Sequence, residues 1–534
     1  MTENYITKLL SDCLQDCSSI AETHTGLKYI KKAITDISLR LHEPMQLAIV
    51  GRISSSKSTL VNAILGKAEV VRTGHEAETF NVSWLKYGSD DEPIKVHFKD
   101  GTHMEVDRSS WIEWASHSGE EKLKTKVSYI EVKASDEILK SINIIDTPGL
   151  DATSQIDSEN TKQFLKQVNP DAVVLMFTKS LSENSLHLIE EFQKSDVTQP
   201  YSINPMNALG VLSKPDLNWN VLNDIDVVTA SKDSISRTLA RRDDVKRSLF
   251  RILPVSALMG VASFNITAKE YDFFKKLSVN NSIAELTRLF LSADSFVKAN
   301  LSEGVSADDK KEFVLKYGLY GIYTCLVQIK KNPTISIKEL ANILRKKSGF
   351  EEFLDLLNSH FGDKSRILKA QKSIVSLLDA CNRDLQDLND IELHPIVESI
   401  RRRVSSIQDE LHDTKEMELL NSIYEGIVSL EPTILNEIKA VCGENGDGIT
   451  SRLSIPDDTP IEEMIRIAKE RNLKCTGKYN SLKRISKQKA LPYEIISKSY
   501  ELIAKRLEEQ LTEYRKALRT ISIYNRYIYG RSKL

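Results

Sequence analysis

Along residues 4–41 the apolar positions recur at helical spacing. Leu27, Ile30, Ile34, Ile37 and Leu41 lie three or four residues apart and form one stripe. Such a stripe marks an amphipathic helix that buries a single face. It predicts helix through this segment, stopped by Pro44, which has no N–H to donate. From residue 46 the period changes. Short apolar runs (MQLAIVG, INIIDTPG, DAVVLMF, NALGVLSK) alternate with helical stretches. Runs of this length, bounded by turn residues, suit buried parallel strands in a sheet flanked by helices. The alternation is expected to continue to about residue 362 around a mostly helical insertion near 262–346. Ser348-Gly349-Phe350 then opens one more helix, with Phe353, Leu354 and Leu357 facing inward.

Beyond residue 363 the pattern is helical throughout. Ile374, Leu378, Cys381, Leu385 and Leu388 hold a 4-3-4-3 spacing, and Val397, Ile400, Val404, Ile407 and Leu411 hold 3-4-3-4. Ile496, Tyr500, Ile503, Leu507, Tyr514, Leu518 and Ile521 continue a similar stripe. A helix from about 493 to 525 would be roughly 50 Å long at 1.5 Å per residue. Seams of this kind predict an elongated all-α helical bundle. Gly443, Gly446, Gly448, Pro456 and Pro460 mark a flexible break at one end of it. The chain therefore divides into N-terminal helices at 1–44 that pack with the bundle, an α/β domain at 45–362, and a helical stalk at 363–534 with its tip at 443–460.

Composition narrows the partners. Of the 534 residues, 41% are hydrophobic and 28% charged, which fits a folded chain with a sizeable core. The formal net charge is -2, so no global field draws in nucleic acid, and an electrostatic partner must meet a local patch. Cysteines at 13, 17, 325, 381, 442 and 475 include no Cys-x-x-Cys pair, which points to a reducing cytosol rather than a disulfide framework or zinc site. The N-terminus is too polar and acidic for a signal peptide. No stretch of about 18 apolar residues predicts a transmembrane segment.

The chemistry begins at LAIVGRISSSKSTLVNAILG, which passes from apolar strand through a small-residue loop into helix. Gly51 starts the turn, Lys57 is placed to reach β- and γ-phosphates, and the Ser58 hydroxyl can bind Mg²⁺. Backbone N–H groups of residues 54–59, among them Ser54, Ser55, Ser56 and Thr59, would face the phosphates from a helix N-terminus. The usual second glycine of this pattern is Ser56. If that position requires positive φ, the serine costs on the order of 1–2 kcal/mol. Asp146-Thr147-Pro148-Gly149 follows the strand INIID, where the carboxylate can hold the magnesium shell and the Gly149 N–H can meet a γ-phosphate. Ser213-Lys214-Pro215-Asp216 follows ALGVL. Its carboxylate can accept from guanine N1–H and N2–H₂, an edge at which adenine has no donors, and Lys214 can lie along the base. After RILPV, the backbone of Ser256, Ala257 and Leu258 can touch guanine O6. Four elements in this order, each at a strand end, predict a GTP or GDP site.

These motifs, with the helices before and after the domain, resemble the dynamin superfamily of large GTPases, in particular bacterial dynamin-like proteins. The resemblance implies that Ser54 contacts the β/γ-phosphates and a monovalent cation, and that Thr79 completes the magnesium shell. It also implies that hydrolysis depends on G-domain pairing, since Leu150 follows the motif in place of a water-orienting glutamine. Ser54, Lys57, Thr79 and Gly149 are the catalytic candidates, with Ser58, Thr79 and Asp146 as the metal set. The implied activity is Mg²⁺-dependent GTP hydrolysis, slowed by Ser56, coupled to self-association through the G domain or stalk and to membrane remodelling. That places the chain in the cytoplasm, peripheral at anionic membranes. The competing reading is a nucleotide-gated scaffold with little hydrolysis and no membrane role. Between Arg466 and Lys489 there are nine basic residues against Glu470 alone. That run reads as a lipid-headgroup patch or as a solvated stalk face. Arg401, Arg402 and Arg403 read as bundle surface rather than nucleic-acid contacts.

Overall fold

The computed structural model describes residues 2–24, 26–67, 81–115, 126–149, 168, 170–178, 181, 186, 189, 205–222, 225–299, 306–363, 365–387, 393–424, 428, 430–446 and 448–530. The chain divides into two units, Pro44–Asp363 and a second made of Met1–Glu43 with Lys364–Leu534.

The first unit is built on a sheet of nine strands: β1 (Met45–Gly51), β2 (Ser83–Tyr87), β3 (Ile94–Phe98), β4 (His103–Val106), β5 (Val127–Ala134), β6 (Ile142–Asp146), β7 (Ala172–Phe177), β8 (Ala208–Ser213) and β9 (Arg251–Val255). Their order is β4-β3-β5-β2-β6-β1-β7-β8-β9. From β6 to β9 every neighbouring pair is parallel, with Ala48 opposite Ile145 and Ile49 opposite Val174. Every residue of β1, β6, β7 and β8 is buried. Both faces of these strands are covered, which is why they read as unbroken apolar runs. The other half of the sheet was not visible in those runs. β2 is antiparallel to β6, and β3 is antiparallel to both β4 and β5. These strands are short and half-buried, with charged residues such as Lys86, Glu131 and Lys133 interleaved.

Among the described residues no strand follows Val255, so the predicted alternation stops there. Helices from Ala257–Phe264 to Ile337–Lys347 form a subdomain whose own core includes Phe273, Phe274, Phe290, Phe296, Phe313 and Tyr317. An aromatic core of this size holds the segment together without a sheet. The chain then rejoins β9, where the Ser256 N–H donates to Ser348 O at 2.8 Å. Gly349, at φ 73°, passes so close that a Cβ there would lie 2.2 Å from Pro254 O. In the following helix, Phe350–Leu356, Phe353 and Leu356 are buried while Leu354 is only half-buried.

In the second unit the N-terminal segment is two helices rather than one, Thr2–Glu22 and Lys28–Arg40. The helical period continues across the join, but Gly26 lies within it. Ile30, Ile34 and Ile37 share a core with Ile374 and Leu377 of helix Ser365–Asp387 and with Val397 and Ile400 of helix His394–Glu410. Leu378 and Leu385 sit at the edge of that core, half-buried. Helix Lys28–Arg40 is held at both ends by one neighbour. Its first N–H groups, of Tyr29 and Ile30, donate to Asp384 Oδ1 and Oδ2 at 3.1 and 2.9 Å. Lys369 Nζ donates to Arg40 O and Glu43 O at the other end.

The longest helix, Lys487–Gly530, has 44 residues, about 66 Å. It begins earlier than predicted because Pro492 is accommodated inside it. It packs against helix Ile461–Leu482, to which residues 483–486 join it, and Tyr500, Ile503 and Leu507 face inward. The glycine-rich segment is not a bare break. It contains helix Ile449–Leu453, with Leu453 fully buried and Arg452 paired to Glu416.

Candidate functional site

The site lies at the carboxyl ends of β1, β6, β8 and β9, on either side of the point where sheet order reverses about β1. β1 runs into Gly51, which has φ 157° and no room for a side chain. A Cβ there would meet Met176 O at 2.5 Å and Ser55 Oγ at 2.9 Å. The loop then takes positive φ at Ser54 (60°) and Ser56 (67°) before helix Lys57–Ile64 begins. The conditional expectation for Ser56 is met: the position usually taken by glycine is left-handed here, with serine in it. Ser54 is exposed, Ser56, Ser58 and Thr59 are half-buried, and the buried Ser55 Oγ has no hydrogen-bond partner.

Lys57 is buried and turned back over the loop, with Nζ donating to Gly51 O and Arg52 O, each at 3.1 Å. Ser58 Oγ donates to Asp146 Oδ2 at 2.8 Å. Asp146 is fully buried, and its Oδ1 has no partner. Burial pushes its carboxyl up to about 6, although the charge of Lys57 and the Ser58 hydroxyl pull it down. Two convergent oxygens, one of them on a carboxylate with a spare buried acceptor, are the donors a hard divalent cation takes. Next to Asp146, Thr147 Oγ1 donates to Ile49 O at 2.8 Å and ties the end of β6 to β1. Gly149 rests on the loop, and a Cβ there would meet Ile53 Cγ1 at 2.3 Å and the Ile53 backbone at 2.9 Å. Thr79 lies outside the described residues.

The second half of the site starts where β8 ends. Ser213 Oγ donates to Phe177 O at 3.1 Å, and Lys214 turns the chain at φ 54°. Asp216 Oδ1 is buried without a partner. Burial raises this carboxyl above its ordinary value, against the opposing effects of the Ser256 hydroxyl and the Lys214 charge. Ser256 caps helix Ala257–Phe264 by accepting from Met259 N. The Ser256 N–H is already committed to Ser348 O. That amends the sequence reading: the groups left to meet a base oxygen are the N–H groups of Ala257 and Leu258, in the first turn of the helix. Trp219 packs with its ring centroid 5.5 and 4.9 Å from those of Tyr320 and Tyr323. These partners come from the helical subdomain, about a hundred residues away, which no local spacing around Trp219 encodes.

Residues 47–214, from β1 to the start of this loop, match the model of the dynamin family. The chain is 22% identical over 427 residues to the isoniazid-induced protein IniC of Mycobacterium tuberculosis, a match spanning 78% of this chain and 82% of that one. Dynamin-like protein 2 of Campylobacter jejuni is 27% identical over 154 residues, 29% of this chain and 24% of its own length. A solved structure described as "An oligomerised bacterial dynamin pair provides a mechanism for the long-range sensing and tethering of membranes" aligns over 96% of this chain and 91% of its own. It does so at 14% identity and a TM-score of 0.33, too low for detail to transfer.

Proposed function

We propose, from the premise that this chain belongs with the bacterial dynamin-like large GTPases, that it binds GTP and GDP across the two loops and hydrolyses GTP slowly. The backbone N–H groups of the loop after Gly51 hold the phosphates. Lys57 exchanges its two carbonyl partners for β- and γ-phosphate oxygens. Ser58 and Asp146 would hold Mg²⁺, which would supply charge neutralisation at the phosphates. Thr79 and Gly149 report on the γ-phosphate, and Gly149 does so through its contact with Ile53. Ser54 would contact the phosphates and a monovalent cation.

The observation that carries the reading is the unpartnered, buried carboxylate oxygen of Asp216 two strands from the phosphate loop. A desolvated acceptor of this kind costs free energy until a donor reaches it, and the guanine edge supplies two donors. Lys214 lies along the base, and Ala257 and Leu258 meet O6. The test is displacement of fluorescent GDP. GTP displaces it and ATP does not, and Asp216→Asn admits xanthine nucleotides. Equal competition by ATP overturns the reading.

The output we propose is self-association through the G domain or the helical bundle, coupled to remodelling of an anionic membrane from the cytoplasmic side. No helix among the described residues is long and apolar enough to cross a membrane, so the contact is peripheral. Support for where it falls comes from the turn at 483–486, where Ile485 is 79% exposed beside Lys483, Arg484 and Lys487. A nucleotide-gated scaffold with little turnover is the second reading, favoured by Ser56 at φ 67°. Liposome co-sedimentation with GDP, a GTP analogue and no nucleotide separates the two.

A further inference from the structure

Helix Ala307–Lys331 belongs to the helical subdomain and is broken at Gly318, whose φ of 67° and ψ of 166° are not helical. The break falls beside the base-reading residues. A Cβ on Gly318 would lie 3.4 Å from Asp216 Oδ2 and 3.8 Å from Leu258 Cδ2. Both halves of the helix are anchored. Before the break, the buried Tyr317 donates its hydroxyl to Glu270 Oε2 at 2.9 Å, and Lys316 Nζ reaches both Glu270 oxygens. After the break, Tyr320 and Tyr323 pack on Trp219, whose backbone N–H donates to Asp216 O at 3.1 Å. A glycine therefore occupies a helix position that faces the carboxylate. Two buried polar atoms in the same neighbourhood, Asp216 Oδ1 and Trp219 Nε1, have no partner.

We infer that Gly318 is a specificity-determining position for the guanine base, and that the helical subdomain forms part of the wall of the base site. This rests on the guanine reading above. The glycine does two things. It adopts a backbone conformation that essentially only glycine enters without strain. It also adds no side chain beside Asp216 Oδ2, so that the carboxylate, which the Ser256 hydroxyl already approaches, keeps its remaining acceptor capacity for the base. An asparagine at this position carries its amide from the Cβ towards Oδ2 and donates to it, competing with the base for the acceptor. An alanine bears a comparable backbone strain but brings no donor.

The experiment measures the GDP-over-ADP preference of the full chain by displacement of fluorescent GDP, for Gly318→Asn, Gly318→Ala and the parent. Gly318→Asn lowers the preference at least about tenfold by weakening GDP while leaving ADP unchanged, and Gly318→Ala lowers it less. In an Asp216→Asn background Gly318→Asn has no further effect. An unchanged preference in folded Gly318→Asn, or an equal loss of GDP and ADP, overturns the inference. Should Gly318→Asn fail to fold, Tyr320→Leu keeps the glycine and loosens the aromatic contact that holds the helix to Trp219. It lowers the preference at least about threefold, and an unchanged value overturns the inference. A parent that itself fails to discriminate GDP from ADP sinks the guanine reading. A discriminating parent with unaffected variants sinks only the role of Gly318.

Discussion

Removing Asp384 unpins the N-terminal helices from the bundle. Its carboxylate, 1% exposed, accepts from two backbone N–H groups at the start of helix Lys28–Arg40, a helix whose own N-cap residue, Leu27, offers no side-chain bond. In Asp384→Ala both N–H groups lose a charged acceptor, and the Ile30 N–H is buried. Hydrogen bonds to charged groups contribute about 1.5–3 kcal/mol each, and an orphaned buried donor costs about as much. Neighbouring water recovers part of this, which leaves a loss of about 2–4 kcal/mol. For a unit of roughly 200 residues that is a midpoint shift of about 5–15 °C. Asp384→Asn keeps one acceptor and should lose about half as much. The assay is built into the sequence. All four tryptophans, Trp84, Trp111, Trp114 and Trp219, lie in the unit Pro44–Asp363. Tryptophan fluorescence therefore follows that unit, while far-ultraviolet circular dichroism follows the helices of both. In Asp384→Ala the dichroism should develop an earlier transition while the fluorescence midpoint stays in place. A dichroism midpoint unmoved to within about 0.5 kcal/mol, or a fluorescence midpoint that falls by the same amount, would refute the reasoning.

Lys57→Ala should abolish phosphate binding and any GTP turnover, read by fluorescent GDP titration and phosphate release; retained activity would exclude this loop. Arg452→Met should destabilise the bundle by about 3 kcal/mol because it strands the buried Glu416, whereas Arg452→Met with Glu416→Leu should recover most of the loss in the dichroism midpoint. His412 is held neutral by burial, its value pulled down to about 4. The unfolded chain takes up a proton near 6.5, so the stabilisation is complete above that pH and is lost as pH falls towards 4. The loss is about 3 kcal/mol, partly offset by Glu416, which burial shifts up. His412→Gln should flatten the dependence of the dichroism midpoint between pH 7 and pH 4. Charge reversal at Lys483, Arg484 and Lys487 should weaken co-sedimentation with anionic liposomes and leave GDP affinity unchanged; undiminished lipid binding would make that turn a solvated surface.

The elements legible in the sequence were those whose pattern is set by burial on all sides or on one clean stripe. β1, β6, β7 and β8 are covered on both faces, so their runs are unbroken. Ile30, Ile34 and Ile37 face one core, so their spacing is regular. β2 to β5 escaped because a half-exposed strand four to eight residues long, with lysines and glutamates on its open face, carries little period to detect. The join near Gly26 escaped because the stripe on its two sides stays in phase. The residues of the proposed nucleotide site could be named from the sequence because they fall on short segments at strand ends. What could not be read was everything that arrives from afar in sequence: Ser348 taking the Ser256 N–H, Tyr320 and Tyr323 under Trp219, and Asp384 and Lys369 at the two ends of helix Lys28–Arg40. No local spacing encodes such contacts.

The phosphate loop shows how these levels meet in one energy. Ser54 and Ser56 both hold left-handed backbone, at about 1–2 kcal/mol each for a residue with a Cβ. Strain of that size persists only where the surroundings over-determine it. Here Gly51 is pressed against Met176 O, Gly149 lies on Ile53, and the Lys57 ammonium bridges two loop carbonyls. The first two contacts are steric. In the proposed site the third would have to break for Lys57 to reach a phosphate, so its two carbonyl hydrogen bonds would be exchanged for phosphate contacts. Ser56→Gly relieves the left-handed strain in both states, so its effect on affinity is small unless the serine side chain meets the phosphate itself. A gain of tenfold or more in GDP affinity for Ser56→Gly would place the departure from the usual pattern in direct contact with the ligand rather than in the backbone.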